Sequence, residues 1–421
     1  MRRFVLTWGA LAILLAAGSP VAAAQSVSAQ QALTSALNGG MQTIGGASGA
    51  YVVDLTTGQV LYSDNAGVGR IPASVEKIYT TSTALLRFGP NATLTTRVLG
   101  AGTLDSHGGW HGTLYLKGGG DPTFGSSSFD HAAYGTGASI QRLVANLVHG
   151  LHLTSVHGRI VGDESYFDSL RSTSESNFQP DIEMEGELSA LAYDAGFTSA
   201  QETALQPRPA LFATQQFIAA LRQAGVKVPS NTPIYTGATP TGAQPLASVQ
   251  SPRMAKLIQL TNTPSDNFFA EMLLKGVGAQ FGGAGTTAAG AAVVRSEMAS
   301  QFGIHPRLVD GSGLSYADST SPIQVVTALQ RLYSNSAFVN SLAIGGETGT
   351  LQDYMRGTPA QGVCHAKTGT LNPVANLAGY CQARDGHTLV FAFLANGLSN
   401  PDYVHLIEAN DMAVALAGYD G

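Results

Sequence analysis

Charge is scarce in this chain, and lysine is scarcer still. Only 12% of the 421 residues are charged, and of the 22 basic side chains six are lysines, so the place of each lysine is informative. No basic tract occurs and the formal net charge is −6, which argues against nucleic acid as a partner, because phosphate binding needs clustered cations. There is no His-Glu-x-x-His pattern, and the only two cysteines, Cys364 and Cys381, are not placed as a zinc site, so neither metal nor cofactor is expected. No G-x-S-x-G elbow is present, and no G-K-[ST] follows Gly118 to Gly120, which excludes a phosphate loop there. What the chain does have is 44% hydrophobic residues and 50 glycines. That is enough apolar surface for two domains, or for one domain with a large insertion, and many turns.

The N-terminus, MRRFVLTWGALAILLAAGSPVAAAQ, has two arginines, an apolar run from Phe4 to Ala17 and small residues ending at Ala24. The run is short for a bilayer span. The pattern is that of a secretory signal peptide over residues 1–24, cut near Ala24–Gln25. No cysteine stands directly after the apolar run, so a lipoprotein anchor is not expected, and no later run is long enough to span. A periplasmic or secreted protein with peripheral or no membrane contact is expected. Export permits a disulfide. Cys364 and Cys381 would face each other across a hairpin centred between Asn372 and Pro373; two buried thiols are the alternative.

Further along, residues 28–40 read as an amphipathic helix and AYVVDLTTGQVLYS as a hairpin turning at Thr57-Gly58. A helix is expected from Ile71 to Phe88, stopped by Gly89-Pro90-Asn91. Between about 94 and 250, short strand-like runs alternate with Gly-, Ser- and Asp-rich stretches and two helical segments; SNTPIYTGATPTGAQPL reads as a connector. This region is expected to be a strand-rich domain inserted into a larger one formed by 25–93 and 251–421. The second segment is helical to about 340, with a break at Thr263-Pro264. Three strands follow (CHAKTGTL, ANLAGYCQAR, HTLVFAFLANG), and a helix over 401–418 in which Val404 and Ile407 are core.

Three short motifs carry chemistry. In IPASVEKIYTT, Ser74 and Lys77 are three apart, which on a helix puts them on one face. A serine needs a base to become a nucleophile, and a desolvated lysine can serve. The plainer alternative is Ser74 as a helix cap with a solvated lysine. Ser265-Asp266-Asn267 sits on an inter-helix turn, able to offer a hydroxyl and an amide to a cleft, or simply to cap a helix. Lys367-Thr368-Gly369 lies on a strand and is followed by Thr370. It offers a cation and hydroxyls to a carboxylate, and a glycine beside which a ligand backbone can pass. The alternative is an edge strand with a surface lysine. His365 should share the face of Lys367, and Asp121 and Asp310 should close glycine-rich turns.

The order S-x-x-K, S-D-N, K-T-G is that of serine β-lactamases and penicillin-binding proteins. With GGGDPT at 118–123, VDGSGLS at 309–315 and the long gap from Lys77 to Ser265, the chain resembles the penicillin-binding protein 4 family of D-alanyl-D-alanine carboxypeptidases and endopeptidases, peptidase family S13. The resemblance covers most of the chain after residue 24. It implies an α/β serine β-lactamase/DD-peptidase-like domain, with an antiparallel sheet flanked by helices, and the inserted domain. One of the two extra domains of the largest members is reduced or absent here. The resemblance further implies a Ser74 acyl-enzyme with Lys77 as general base and Ser265 in proton transfer. Asn267 would hold the acyl side, and Lys367, Thr368 and Thr370, beside Gly369, the terminal carboxylate. The N–H groups of Ser74 and Thr370 would form the oxyanion hole. Peptidoglycan stem peptides are the implied substrate and β-lactams the implied covalent inhibitors. A β-lactamase or esterase on the same fold, or a non-catalytic wall-binding or β-lactam-sensing protein, are the rival readings.

Overall fold

The computed structural model describes residues 20–421 apart from 200 and 203; most of the expected signal peptide lies outside the described residues. The chain enters as helix α1 (Pro20–Ile44) and turns into the hairpin β1 (Ser48–Asp54) and β2 (Val60–Asp64). Helix α2 (Lys77–Phe88) follows and ends at Gly89, whose φ of 86° is open to glycine at no steric cost.

The chain then builds a second sheet. Strands β3 (Thr95–Leu104) and β4 (Gly109–Lys117) pair antiparallel, followed by the short β5 (Phe124–Gly125), α3 (Ser127–Tyr134), β6 (Ala138–Ser139) and α4 (Ile140–Leu151). Next come β7 (Ser155–Asp163), α5 (Pro209–Gln223), β8 (Ile234–Thr236) and β9 (Gln244–Gln250), giving the sheet order β8-β7-β4-β3-β9. Because β4–β7 and β7–β8 are parallel, each needs a crossover, and α4 and α5 supply them. Their apolar faces, with Leu143, Leu147, Phe217 and Leu221, bury against Leu114, Leu116, Val156 and Ile160. The region is thus as much helix-on-sheet as strand-rich. The Pro/Thr/Gly connector holds β8 and leads into β9, a difference with a simple cause: β8 is a three-residue edge strand, half-buried to exposed, so it has no apolar alternation to read.

Helices α6 (Met254–Asn262), α7 (Asn267–Phe281), α8 (Thr287–Glu297), α9 (Pro322–Leu332) and α10 (Ser336–Val339) come next. The chain closes with β10 (Ala343–Ile344), β11 (Cys364–Leu371), β12 (Val374–Gln382), β13 (Thr388–Asn396), α11 (Pro401–Leu406) and α12 (Val414–Ala417). The last strands join the first hairpin in an antiparallel sheet of order β10-β11-β12-β13-β1-β2. Both faces of this sheet are covered. Along β13, Leu389, Phe391, Phe393 and Ala395 pack toward α1 and the C-terminal helices, whereas Val390, Ala392 and Leu394 pack toward α2, α6, α7 and α9. Period-two alternation between two apolar layers explains why these strands read as continuous hydrophobic runs.

Cys364 pairs directly with Cys381 in the β11–β12 register, and the two form a disulfide inside the core. The bridge spans a sequence separation of 17, for which the chain-entropy view gives about 3 kcal/mol. The Cys364→Ala/Cys381→Ala double variant should therefore melt several degrees lower than the oxidised protein. An unchanged melting temperature would show that the strand pairing alone supplies the stability.

Candidate active site

The nucleophile candidate sits on a strained turn rather than on the continuous helix expected from Ile71. Ala73 has φ 45°, a 3-10 turn runs from Ala73 to Glu76, and α2 begins only at Lys77. Two close approaches leave no room for an ordinary helix start. A Cβ on Gly313 would stand 1.9 Å from the Ala73 carbonyl oxygen, and one on Gly369 would stand 2.6 Å from that of Pro72. Ser74 caps neither helical segment, which removes the capping alternative.

Lys77 is fully buried. Its Nζ lies 2.8 Å from Ser74 Oγ, 2.6 Å from Asn267 Oδ1 and 2.8 Å from the Ser312 carbonyl oxygen. Burial pulls its pKa down to about 8, against the opposing pull of Glu185, Asp266, Asp310 and Glu271. The chemistry of the three partners is asymmetric. A neutral amine has two N–H bonds and one lone pair. The amide oxygen and the carbonyl only accept, so they take the two N–H groups. The Ser74 hydroxyl is the one partner that can donate, and it meets the lone pair.

The S-D-N turn divides its work. Asp266 Oδ1 caps α7 by accepting from the Phe269 amide at 2.7 Å, so the capping reading holds for this residue. Asn267 turns its amide oxygen to Lys77, while its Nδ2 donates to the Glu183 carbonyl at 2.9 Å and its backbone N–H to Glu185 Oε2 at 2.8 Å. One N–H of the Asn267 amide remains for a ligand. Ser265, at φ 72°, has no hydrogen bond to Ser74 or Lys77 among the described residues.

On β11, Lys367 is fully buried, not a surface lysine, and its Nζ donates to the Thr368 carbonyl at 2.9 Å. Burial holds its pKa well below the usual lysine range, and the charge of Lys77 pushes the same way. Thr368 donates to Thr350 Oγ1 at 2.9 Å, and Thr370 Oγ1 lies 2.6 Å from His405 Nε2. The space beside Gly369 is filled by the chain's own turn: a Cβ there would lie 3.0 and 3.2 Å from the Val75 and Ser74 nitrogens. Gly369 therefore lets the nucleophile's turn lean on the strand, a correction to its expected place as a gap for ligand. β10 pairs only with His365 and Ala366. From Lys367 to Leu371 the outer edge of β11 has no strand partner among the described residues, an opening that an extended peptide can enter.

Several supporting residues escaped the motif reading. Asn376 Nδ2 donates to the Ile71 and Pro72 carbonyls at 3.1 and 2.6 Å, and its Oδ1 accepts from the Ala395 amide at 2.9 Å. Asn396 Oδ1 accepts from the Ile71 amide at 2.8 Å. Together they pin the two residues that lead into the nucleophile's turn. A fully buried asparagine in the apolar run VANLAGY was the available signal. Glu271 Oε1 accepts from the amides of Gly311 and Ser312 at 2.7 Å, and Asp310 closes the same loop by accepting from Gly313 and Ser315, so this loop holds the Ser312 carbonyl against Lys77. Asp121 likewise closes its turn onto Thr123. His365 is half-buried, with the Val339 backbone as a polar neighbour. Asn376→Ala should take from the Ala395 amide its Asn376 partner and leave the Pro72 carbonyl with only the longer Val75 N–H bond at 3.2 Å, at about 1–3 kcal/mol for a buried group left unpaired. A loss of nucleophile reactivity exceeding the loss of fold would be seen by comparing the labelling rate with the melting temperature.

The D-Ala-D-Ala carboxypeptidase 3 (S13) family model matches residues 29–207 and 197–417. Over 90% of its length the chain is 30% identical to a D-alanyl-D-alanine carboxypeptidase of Actinomadura sp., covering 82% of that protein. It is also 30% identical to carboxypeptidase DacB of Mycolicibacterium smegmatis, over 82% of this chain and 75% of that one. Among solved structures, penicillin-binding protein 4 of Haemophilus influenzae shares the fold with a TM-score of 0.72 at 20% identity, over 90% of this chain and 97% of that one. A predatory peptidoglycan endopeptidase from Bdellovibrio bacteriovorus shares it with a TM-score of 0.54 at 15% identity, over 83% and 86%. Motif order, family model and near-full-length relatives agree: the chain belongs to the D-Ala-D-Ala carboxypeptidase (S13) family of serine peptidases.

Proposed function

We propose that this peptidase cleaves the D-alanyl-D-alanine-type bonds of peptidoglycan stem peptides through an acyl-enzyme on Ser74. The reading rests above all on Lys77, whose three partners are placed so that the amine, once deprotonated, would turn its lone pair to Ser74 Oγ. Ser74 attacks the penultimate D-alanine carbonyl as its proton passes to Lys77. The N–H groups of Ser74 and Thr370 stabilise the oxyanion. Collapse breaks the peptide bond, and the leaving amine takes the proton from Lys77, with Ser265 as relay. Water then releases the acyl group by the same steps in reverse. Asn267 offers its remaining N–H to the acyl chain, which lies as an added strand along the open edge of β11. Lys367, Thr368 and Thr370 receive the carboxylate of the leaving residue; an incoming anion supplies the counter-charge that buried Lys367 otherwise lacks.

The same geometry accepts a β-lactam, whose ring opening acylates Ser74. Residues 94–250 form an inserted domain, and the protein works outside the cytoplasmic membrane, where its substrate lies. Among the described residues no helix is long and apolar enough to cross a membrane. A deciding experiment is digestion of purified muropeptides with the product masses read out, beside labelling by a fluorescent penicillin. Loss of a terminal D-alanine marks carboxypeptidase action and splitting of cross-linked dimers marks endopeptidase action. Rapid turnover of a chromogenic cephalosporin with neither product would replace the peptidase by a β-lactamase.

A further inference from the structure

Thr370 does not reach the cleft with an uncommitted hydroxyl. Its Oγ1 is 2.6 Å from Nε2 of His405 on α11, and the other ring nitrogen, Nδ1, is 3.3 Å from Glu408 Oε2. His405 is 6% exposed and Glu408 is fully buried. Burial raises the Glu408 pKa, and His405 is the group that opposes this. Neither Glu408 oxygen has a hydrogen-bond partner of good geometry among the described residues, so the His405 ring is the polar group nearest to it. A buried carboxylate with a single polar neighbour is costly unless that neighbour serves it. The row Thr370–His405–Glu408 therefore runs from the strand edge straight into the core.

The row matters because a threonine hydroxyl has one proton to give. If Nε2 of His405 accepts, that proton points inward and Thr370 offers a ligand only lone pairs, which repel a carboxylate. If Nε2 donates, Oγ1 accepts from the ring and the proton is free to point outward. A carboxylate arriving at β11 favours the second arrangement, which needs a proton on Nε2, and Glu408 beside Nδ1 holds the ring in the orientation that presents it. We propose that His405, backed by Glu408, is a positioning residue that turns the Thr370 hydroxyl toward the substrate's free carboxylate and so enforces the requirement for one. This rests on Thr370 being a carboxylate-binding residue as proposed above.

The test compares kcat/KM for a D-alanyl-D-alanine peptide with that for the same peptide amidated at its terminal carboxyl. His405→Leu should lower kcat/KM for the free acid about tenfold or more, the scale of a hydrogen bond to a charged group, while leaving the poor amidated substrate little changed. His405→Gln, whose amide can still donate to Oγ1, should recover most of the loss. In a Thr370→Val background His405→Leu should add nothing further. Glu408→Gln is nearly isosteric and should show a weaker form of the same bias, which keeps the test decisive even if His405→Leu folds poorly. Equal losses on both substrates, or additive losses in the double variant, would overturn the proposal and leave His405 a packing residue. Wild-type protein that takes no fluorescent penicillin would instead overturn the acyl-enzyme reading itself, so the two failures are distinct.

Discussion

Lys77→Ala should abolish acylation of Ser74 by a fluorescent penicillin, with a loss of at least about a thousandfold, within the range for removing a general base. Ser74→Ala should abolish it outright by removing the atom that is acylated. Lys367→Ala should act differently, raising KM for peptides while a slow acylation persists. The pH profile is the sharper test. The reactive form of Lys77 is the neutral amine, and burial brings its pKa to about 8. The neutral fraction grows with pH, so the acylation rate should rise tenfold per unit well below pH 8 and level off above it. A profile that is flat from about pH 6 to 9, or wild-type labelling in Lys77→Ala, would remove the lysine from the base role. The neighbouring acids supply a control. Glu185 is the strongest of the groups that hold the Lys77 pKa up, so Glu185→Gln should move the rise to lower pH.

Much of this site could be read in the chain because its motifs are local. Ser74 and Lys77 lie one helical turn apart, Asn267 opens a helix behind a proline, and Lys367 to Thr370 share one strand. The cysteine pair was legible for the same reason, since a single hairpin centre sets its register. What could not be read is what holds these pieces together. Asn376 meets Pro72 across 304 residues and Asn396 meets Ile71 across 325. Hydrophobic periodicity reports which face is buried, not which polar atom waits on the other side. The turn at Ala73 failed for a related reason: its sequence favours helix, and only Gly313 and Gly369, pressed against it from distant segments, forbid one. The expected reason for Gly369 was off because a missing Cβ shows that something comes close without saying what. Nothing in the pattern of 401–418 marks His405 or Glu408, because only the fold sets the first turns of that stretch against Thr370.

The thermal stability of this protein should fall as pH rises from about 5 to 8, and the groups behind Lys77 should carry much of the fall. Glu76, Asp310 and Asp318 are buried, with carboxylate oxygens within 4.8 Å of one another, and Glu271 is buried beside them at the same loop. Burial, then mutual repulsion, pushes Glu76 and Asp310 well above the ordinary carboxyl range. Burial is also the main cause that brings Glu271 to about 7 and Asp318 to about 6. Each pKa is higher in the fold than in the unfolded chain, so the folded state binds more protons across the interval. The stability they contribute is complete below about pH 4 and is lost as pH climbs through 6 and 7. Glu76→Gln imitates the protonated acid and should flatten the decline, measured as melting temperature against pH. A wild-type melting temperature that stays level or rises over this interval would show that these acids are ionised in the fold. The outcome bears on catalysis as well as on stability. Asp310 and Glu271 both hold up the pKa of Lys77, so keeping them protonated helps to keep the lysine neutral, and the acids that cost stability at high pH also set how far the base must climb to reach its reactive form.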